Sequence, residues 1–332
     1  MNEREIISLF NGSAGPGGDE LVRGIGDDCA VLRLDGDRLW LVTVDTLIES
    51  VHFNIDWHPP RKLGRKSVAV NVSDIAAMGG SPRFAFLSLG LPQGFDPPWL
   101  EKFSQGLSEA CREFGCTLAG GDTVRTVEGV MITLTVIGEV PADQVTYRST
   151  ALPGDEIWVS GTLGNAAAGL ELCTAGDAGS EDGLLLAESH LNPTPRLGLA
   201  RRLAGGRLVH AMMDLSDGVA TDLSHLCIRS GTGAVIYADL LPVSGPLQRT
   251  AGKMGKDCLP WALTGGEDYE LLFTAAPGQG GAILRLAEKE GLLTRIGYID
   301  AKSGVRLAEG RPGRQNPPQK DVSFLGYDHF RL

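Results

Sequence analysis

Short apolar stretches separated by polar and glycine-rich breaks run the length of the chain. Residues 39–44, Leu-Trp-Leu-Val-Thr-Val, are an apolar run of strand length and predict a buried strand that delivers Asp45 at its end. Residues 61–78 predict a helix on which Asn71 and Asp74, three apart, share one face. Phe84 to Leu91 predicts another strand. Trp99, Leu100, Phe103, Leu107, Ala110, Cys111 and Phe114 recur at helical spacing and predict a core-facing stripe. Met131 to Ile137 predicts a strand. The pattern breaks over 141–154, at Pro141, Pro153 and Gly154, which divides the chain into 1–150 and 151–332.

The second half restarts with a strand, Ile157–Ser160, then Gly161-Thr162-Leu163-Gly164 and an alanine-rich helix. A polar loop is expected around 176–183. A helix should begin after Asp214-Leu215-Ser216-Asp217 and stop near Gly231. Ala234–Ala238 and Tyr269–Phe273 predict strands, and 280–290 predicts a helix. Residues 11–20 predict a loop, and 309–321 an irregular tail. Strands alternating with helices in both halves predict an α/β or α+β fold. Gly120-Gly121-Asp122 and Gly265-Gly266-Glu267 correspond between the halves, as do Ser73-Asp74 and Ser216-Asp217, which hints at related halves.

Length and charge narrow the field. A chain of 332 residues is long enough for two domains. Its net charge is −11, from 41 acidic and 30 basic residues, and the densest basic cluster is only Arg61 to Lys66. That balance argues against a nucleic-acid partner. The six cysteines are scattered without a C-x-x-C, against a zinc knuckle or a thioredoxin motif. No apolar run approaches the roughly 18 residues of a membrane span, so no membrane partner is expected. The start, Met1-Asn2-Glu3-Arg4-Glu5, does not read as a signal peptide, and a reduced, cytoplasmic protein is expected.

The chemical signal is a set of acids at expected turns and element ends: Asp27, Asp28, Asp45, Asp74, Asp122, Asp214, Asp217, Glu267 and Asp268. Any one of them could be a helix cap, because Asp accepts backbone N–H bonds at helix starts. Nine flanked by Gly, Ser and Thr are harder to explain as caps. Converging carboxylates repel one another unless cations sit between them. Mg²⁺ is commonly shared between carboxylates and substrate phosphates. Glycines at 24, 26, 120, 121, 265 and 266 would let backbone N–H groups approach phosphate oxygens. The residues therefore point to a Mg²⁺–nucleotide site. The usual nucleotide fingerprints are missing: Gly64-Arg65-Lys66-Ser67 breaks the P-loop spacing, and Gly24-Ile25-Gly26 lacks the third glycine of a dinucleotide fold.

Taken together, the motifs resemble the thiamine-monophosphate kinase family. They are Gly24-Ile25-Gly26-Asp27-Asp28-Cys29-Ala30-Val31, the stretch Thr43 to Phe53, Val70-Asn71-Val72-Ser73-Asp74-Ile75-Ala76-Ala77-Met78-Gly79 and Gly120-Gly121-Asp122-Thr123. The second half adds Asp214-Leu215-Ser216-Asp217-Gly218, Thr264 to Leu271, and Gly326-Tyr327-Asp328-His329-Phe330. The resemblance implies a two-domain aminoimidazole-ribonucleotide synthetase-like fold. In it the N-terminal half joins a dimer barrel and the C-terminal half is α/β. It also implies a homodimer that transfers the γ-phosphoryl group of ATP to thiamine monophosphate, with several Mg²⁺ ions.

Carried over by motif, Asp28, Thr43, Val44, Asp45, Asp74, Asp122, Asp214 and Asp217 resemble metal ligands. Val44 departs from the expected Thr, so its carbonyl could coordinate but its side chain could not. Gly121, Asp122, Arg148 and Ser216 resemble ATP contacts, and His52, Glu267 and Tyr327 resemble thiamine-phosphate contacts. No residue is implied as a general base or nucleophile. A sibling ATP-dependent synthetase is the nearest alternative. The segment 11–20 lacks the Cys a selenophosphate synthetase needs, and the end, Phe330-Arg331-Leu332, lacks the Cys of a hydrogenase-maturation relative. A non-catalytic Mg²⁺–nucleotide binder is the alternative from another class.

Overall fold

The computed structural model describes residues 2–13, 18–33, 36–310 and 318–330. Helix α1 (Glu3–Ser13) precedes a six-stranded sheet of β1 (Leu21–Arg23), β2 (Ala30–Arg33), β3 (Arg38–Ile48), β4 (Ser81–Leu91), β5 (Thr117–Arg125) and β6 (Met131–Pro141), ordered β1-β2-β3-β6-β4-β5. Buried and partly exposed residues alternate along β6, as a sheet covered on one face requires. It pairs antiparallel with β3 from Arg38 opposite Pro141 to Ile48 opposite Met131. Helices α2 (Pro60–Ala77) and α3 (Pro97–Phe114) supply the cover.

Local chemistry sets the bounds of α3. Prolines occupy its first turn, where their missing N–H groups are not needed, and Gly115 ends it at φ 77° with its N–H on the Cys111 carbonyl. Its stripe of Phe103, Leu107, Ala110 and Cys111 is buried. The two helices approach closely through glycines. A Cβ at Gly64 would stand 2.2 Å from the Phe103 carbonyl oxygen, and one at Gly106 would stand 1.8 Å from that of Arg61.

The second sheet holds β7 (Glu156–Ser160), β8 (Ala211–Asp214), β9 (Gly233–Tyr237), β10 (Leu271–Ala275), β11 (Leu293–Asp300), β12 (Gly304–Ala308) and β13 (Gln319–Asp321), ordered β13-β12-β9-β11-β7-β10-β8. Its helices are α4 (Asn165–Ala175), α5 (Glu181–Leu191), α6 (Leu197–Gly205), α7 (Val219–Ser230), α8 (Gly245–Met254), α9 (Leu259–Thr264) and α10 (Gly280–Glu290). Gly231 ends α7 at φ 66°, where the sequence places the stop. No helix among the described residues is long and apolar enough to cross a membrane.

Helix α2 ties the halves together. Thirteen of its 18 residues are buried, so it has no solvent face to speak of. It packs on β3, β6 and α3 on one side and on β8 and α6 on the other. Ala76 belongs to the same apolar cluster as Trp158, Met212 and Phe273 of the second sheet.

Several sequence expectations change. The strand expected over 39–44 runs from 38 to 48, so Asp45 lies inside it rather than at its end. Gly120, Gly121 and Asp122 lie in β5 and not in a turn. Residues 11–13 continue α1, and 14–17 of the expected loop lie outside the described residues. Helix α5 starts at Glu181, inside the expected polar loop, because Ser180 caps it by accepting the Gly183 N–H at 3.0 Å. Tyr269 precedes β10 at φ 49° instead of opening it. In the expected irregular tail, 311–317 lie outside the described residues, and 319–321 pair with β12.

Candidate active site

Four segments converge beside α2. They are the C-terminal part of β3, the turn between β8 and α7, the loop after α9, and the tail around Tyr327. Backbone bonds lock the last three together. The Glu267 N–H donates to the Ser216 carbonyl at 2.7 Å, that of Tyr269 to Leu215 at 2.9 Å, and that of Tyr327 to Asp217 at 3.0 Å.

Asp28, Asp74 and Asp214 place a carboxylate oxygen each within 4.8 Å of one another. They come from the segment before β2, from α2 and from the end of β8, so the cluster spans both halves. Burial first, then the charge of Asp28, pushes Asp214 up to about 8. Burial and the charges of Asp45, Asp214 and Asp28 hold Asp74 well above the usual carboxylate range. One buried oxygen of Asp214 has no hydrogen-bond partner. Oxygen donors this close, with one left orphaned, fit a hard divalent cation such as Mg²⁺.

Around this cluster, the Thr43 hydroxyl donates to Asp74 at 2.5 Å, and Asn71 accepts the Asp45 N–H at 3.2 Å. Thr43 and Asp45 share a strand face by the alternation of β3. Val44 falls on the other face and is 59 % exposed. Asp217 lines the cavity described below, with its carboxyl raised to about 7 by burial first and then by the charge of Glu3. The Arg148 guanidinium grips Asp28 with two bonds, 3.1 and 2.7 Å long, and its backbone N–H donates to Asp27.

A cavity of about 440 Å³ opens next to the acids. Asp45, His52, Ser216, Asp217, Glu267 and Tyr327 all line it, with apolar wall from Leu47, Val51, Val70 and Leu170. His52 accepts the Ile48 N–H on Nδ1 at 3.0 Å, which leaves its Nε2 to carry a proton. Burial, and after it the nearby His329, lowers its pKa, so the imidazole is neutral. A second cavity, of about 400 Å³, shares Glu3, Asp217 and Tyr327 with the first and runs beneath α1.

Two predicted residues stand apart. Asp122 is exposed on the edge strand β5 and is not among the clustered acids. Register places it opposite Ser88, which faces Thr133, which faces Thr46. Three strand spacings, about 14 Å, separate it from Thr46. Gly121 is explained by packing, since a Cβ there would meet the Leu87 carbonyl oxygen at 1.8 Å. The same holds for Gly266, whose Cβ would meet the Ser216 carbonyl oxygen at 2.5 Å.

Sequence reasoning also missed residues that the fold brings in. Lys66 and His190 flank Glu267, and His329 lies 4.9 Å from the Tyr327 ring and 5.0 Å from the His52 ring. Lys66 carried a signal, because it stands four and eight residues before Val70 and Asp74 on one helix face. His190 comes from α5 and carried none.

Fold and site together define a class: a two-domain protein with a buried cluster of aspartates beside a cavity. Residues 26–140 match the AIR synthase related protein, N-terminal domain, and 153–309 match its C-terminal domain. The chain belongs to the thiamine-monophosphate kinase family. It is 38 % identical over 320 residues to the thiamine-monophosphate kinase of Haemophilus influenzae, covering 94 % of this chain and 93 % of that one. It is 39 % identical over 312 residues to that of Salmonella typhimurium, covering 92 % and 91 %. The solved structure of AaThiL complexed with AMPPCP and TMP superposes with a TM-score of 0.84 at 33 % identity, covering 99 % of this chain and 97 % of that one.

Proposed function

We propose that this protein transfers the γ-phosphoryl group of ATP to thiamine monophosphate, giving thiamine diphosphate. The observation that carries the reading is the junction of the Asp28–Asp74–Asp214 cluster with a cavity lined by Asp45, His52, Asp217, Glu267 and Tyr327. A family member bound to an ATP analogue and TMP supports it.

Asp28, Asp74 and Asp214, with Asp45 and Asp217 at the cavity side, would hold Mg²⁺; Thr43 and the Val44 carbonyl stand beside them. Bound Mg²⁺ offsets repulsion between two phosphate-bearing reactants and stabilises charge on the transferring group. The His52 Nε2–H donates to the acceptor phosphate. Glu267 accepts from the aminopyrimidine, and the Tyr327 ring stacks on the pyrimidine or on the cationic thiazolium. Arg148 can exchange Asp28 for a nucleotide phosphate, where its planar fork makes paired bonds. Ser216 is assigned to ATP, and Gly121, which stands apart within one protomer, would reach a nucleotide only with Asp122 across a dimer. The attacking oxygen already belongs to a phosphate anion, so no general base is needed, and transfer is direct and in line.

We further propose a homodimer in which the first sheets of two protomers join in a barrel. All nine residues of β5 are exposed in the single chain, Leu118 and Val124 among them. Such an edge calls for a cover. Pairing would also carry Asp122 toward an acidic cluster, which it does not reach within one protomer. We divide the chain into domains 1–150 and 151–332, on either side of the Pro141–Gly154 break, and place the activity in the cytoplasm, where ATP is supplied.

The test is phosphoryl transfer from ATP to thiamine monophosphate with Mg²⁺, following thiamine diphosphate directly, beside an Asp45→Asn control. Product with the natural protein and its collapse in the variant are expected. ATP binding without product would instead favour a sibling synthetase or a regulatory binder.

A further inference from the structure

Beneath the acceptor cavity lies a lysine with no exposed surface. Lys66 is 0 % accessible, and its Nζ stands 2.9 Å from Glu267 Oε1. The other oxygen of that carboxylate stands 2.7 Å from Nδ1 of His190, itself 1 % exposed. The Glu267 side chain remains 21 % exposed and lines the cavity. One side of the carboxylate is thus held from below and the other faces a ligand. Trp57 and His58 pack on His190 at 5.7 and 6.1 Å between ring centres and close the pocket behind it.

The backbone argues in the same direction. Glu267 sits at φ 66°, a left-handed conformation that non-glycine residues adopt at a cost. Two neighbouring backbone bonds, to Ser216 and Leu215, hold it there. A buried lysine needs a partner, yet a partner for stability alone need not be a strained residue at a cavity wall. Burial alone would raise the Glu267 carboxyl, and Lys66 followed by His190 more than reverses it. Burial, and after it Lys66, lowers the pKa of His190, so its Nδ1 stands against the carboxylate as a neutral group, 2.7 Å away.

We propose that Lys66 and His190 are positioning residues that fix the Glu267 carboxylate, at both oxygens, in the orientation that binds the acceptor's aminopyrimidine. This rests on the reading of Glu267 as an acceptor contact. Lys66 also shares a face of α2 with Asp74, eight residues and about 12 Å along the axis. One helix therefore spaces the acceptor's anchor from the cation centre.

The experiment is steady-state kinetics on the full chain, varying ATP and thiamine monophosphate separately, with melting temperatures for each variant. Glu267→Gln should raise KM for thiamine monophosphate and leave KM for ATP within about twofold. His190→Gln should do the same, by about tenfold, the scale of one lost polar contact to a charged group. Added to Glu267→Gln, it should contribute no further rise, because both act through one carboxylate. Lys66→Met should lower the melting temperature by leaving that largely buried carboxylate without its cation, and Lys66→Met/Glu267→Gln should recover part of the loss. The positioning role is overturned if His190→Gln leaves KM for thiamine monophosphate unchanged, or raises both KM values alike. It is also overturned if its effect multiplies that of Glu267→Gln, or if the double variant at 66 and 267 recovers nothing. No effect of Glu267→Gln itself on KM for thiamine monophosphate would remove the acceptor-contact reading, and the positioning role with it.

Discussion

Helix α2 contributes to two carboxylate sites along its length, and the two are in opposite electrostatic states. Near its C-terminal end, Asp74 meets Asp28 and Asp214, with Arg148 on one of the three. Near its middle, Lys66 meets Glu267, which also has His190. Burial disfavours charge at both. At Glu267 the chain's own lysine reverses that penalty, and the carboxyl lies well below its ordinary range. At Asp214 nothing in the chain does, and the carboxyl rises to about 8. The Glu267 site has its counter-charge within the protein, whereas the aspartate site, on the proposed reading, would take its counter-charge from a cation outside.

The strongest way to break this comparison is Asp214→Asn. Loss of one ligand charge should cut transfer by about a thousandfold, the scale of a lost metal contact worth several kcal/mol. The same change should raise the melting temperature in EDTA, because a buried, poorly compensated acid has been removed. Inactivity combined with lower metal-free stability would show that Asp214 is compensated by the fold.

Next in size is the pH dependence of the metal-free protein. The folded Asp214 carboxyl titrates at about 8, against an ordinary 3.8, so the folded chain binds more protons than the unfolded chain between those values. Its stabilising contribution is full below the unfolded value and is lost as pH rises through the folded one. Asp217, raised to about 7, acts with the same sign. Glu267, shifted the other way, contributes stability above its ordinary 4.5 and loses it only as pH falls through its lower folded value. From pH 5 to 8 the aspartates therefore decide the slope. The melting temperature in EDTA should fall by several degrees over that interval, and the gain on adding Mg²⁺ should be larger at pH 8 than at pH 6. A flat metal-free profile would contradict the assignment.

Arg148→Met should act more weakly in the same sense. Its guanidinium is the cation that grips Asp28, with side-chain exposures of 19 % and 0 %. Without it the three acids lose their nearest internal compensation. The variant should melt lower in EDTA and regain most of that loss when Mg²⁺ is saturating. Equal loss in both conditions would mean that Arg148 serves packing alone.

What the sequence disclosed differs between the two sites for a physical reason. The aspartates sit in contiguous motifs flanked by Gly, Ser and Thr, so they stand out as candidates in local composition. Helix α2, the stripe of α3 and the stop at Gly231 were legible because periodicity and caps are local signals. The partners of Glu267 were not. His190 and Lys66 lie 77 and 201 positions from it along the chain, and only the packing of α5 and α2 brings them together. The Gly-Gly-Asp motif at Asp122 misleads in the opposite way: it reads as a turn, but it lies in β5, where Gly121 serves a close approach to β4.

The smallest expected effect sharpens the comparison from outside the site. Arg207 and Asp143 approach to 2.8 Å, slightly closer than Lys66 and Glu267, but their side chains are 71 % and 62 % exposed. Water screens the pair and already solvates both groups, so little is gained when they meet and little is stranded when one is removed. Arg207→Ala should change stability by no more than about 0.5 kcal/mol, within the range of exposed ion pairs. Lys66→Met takes the cation from a partner that is only 21 % exposed and should exceed that several-fold, because breaking a buried pair costs roughly 3–5 kcal/mol. Chemical denaturation of the two variants side by side measures the ratio. Near-equal losses would mean that water reaches Glu267 freely, and the contrast between a self-compensated site and a cation-dependent one would then rest on the aspartates alone.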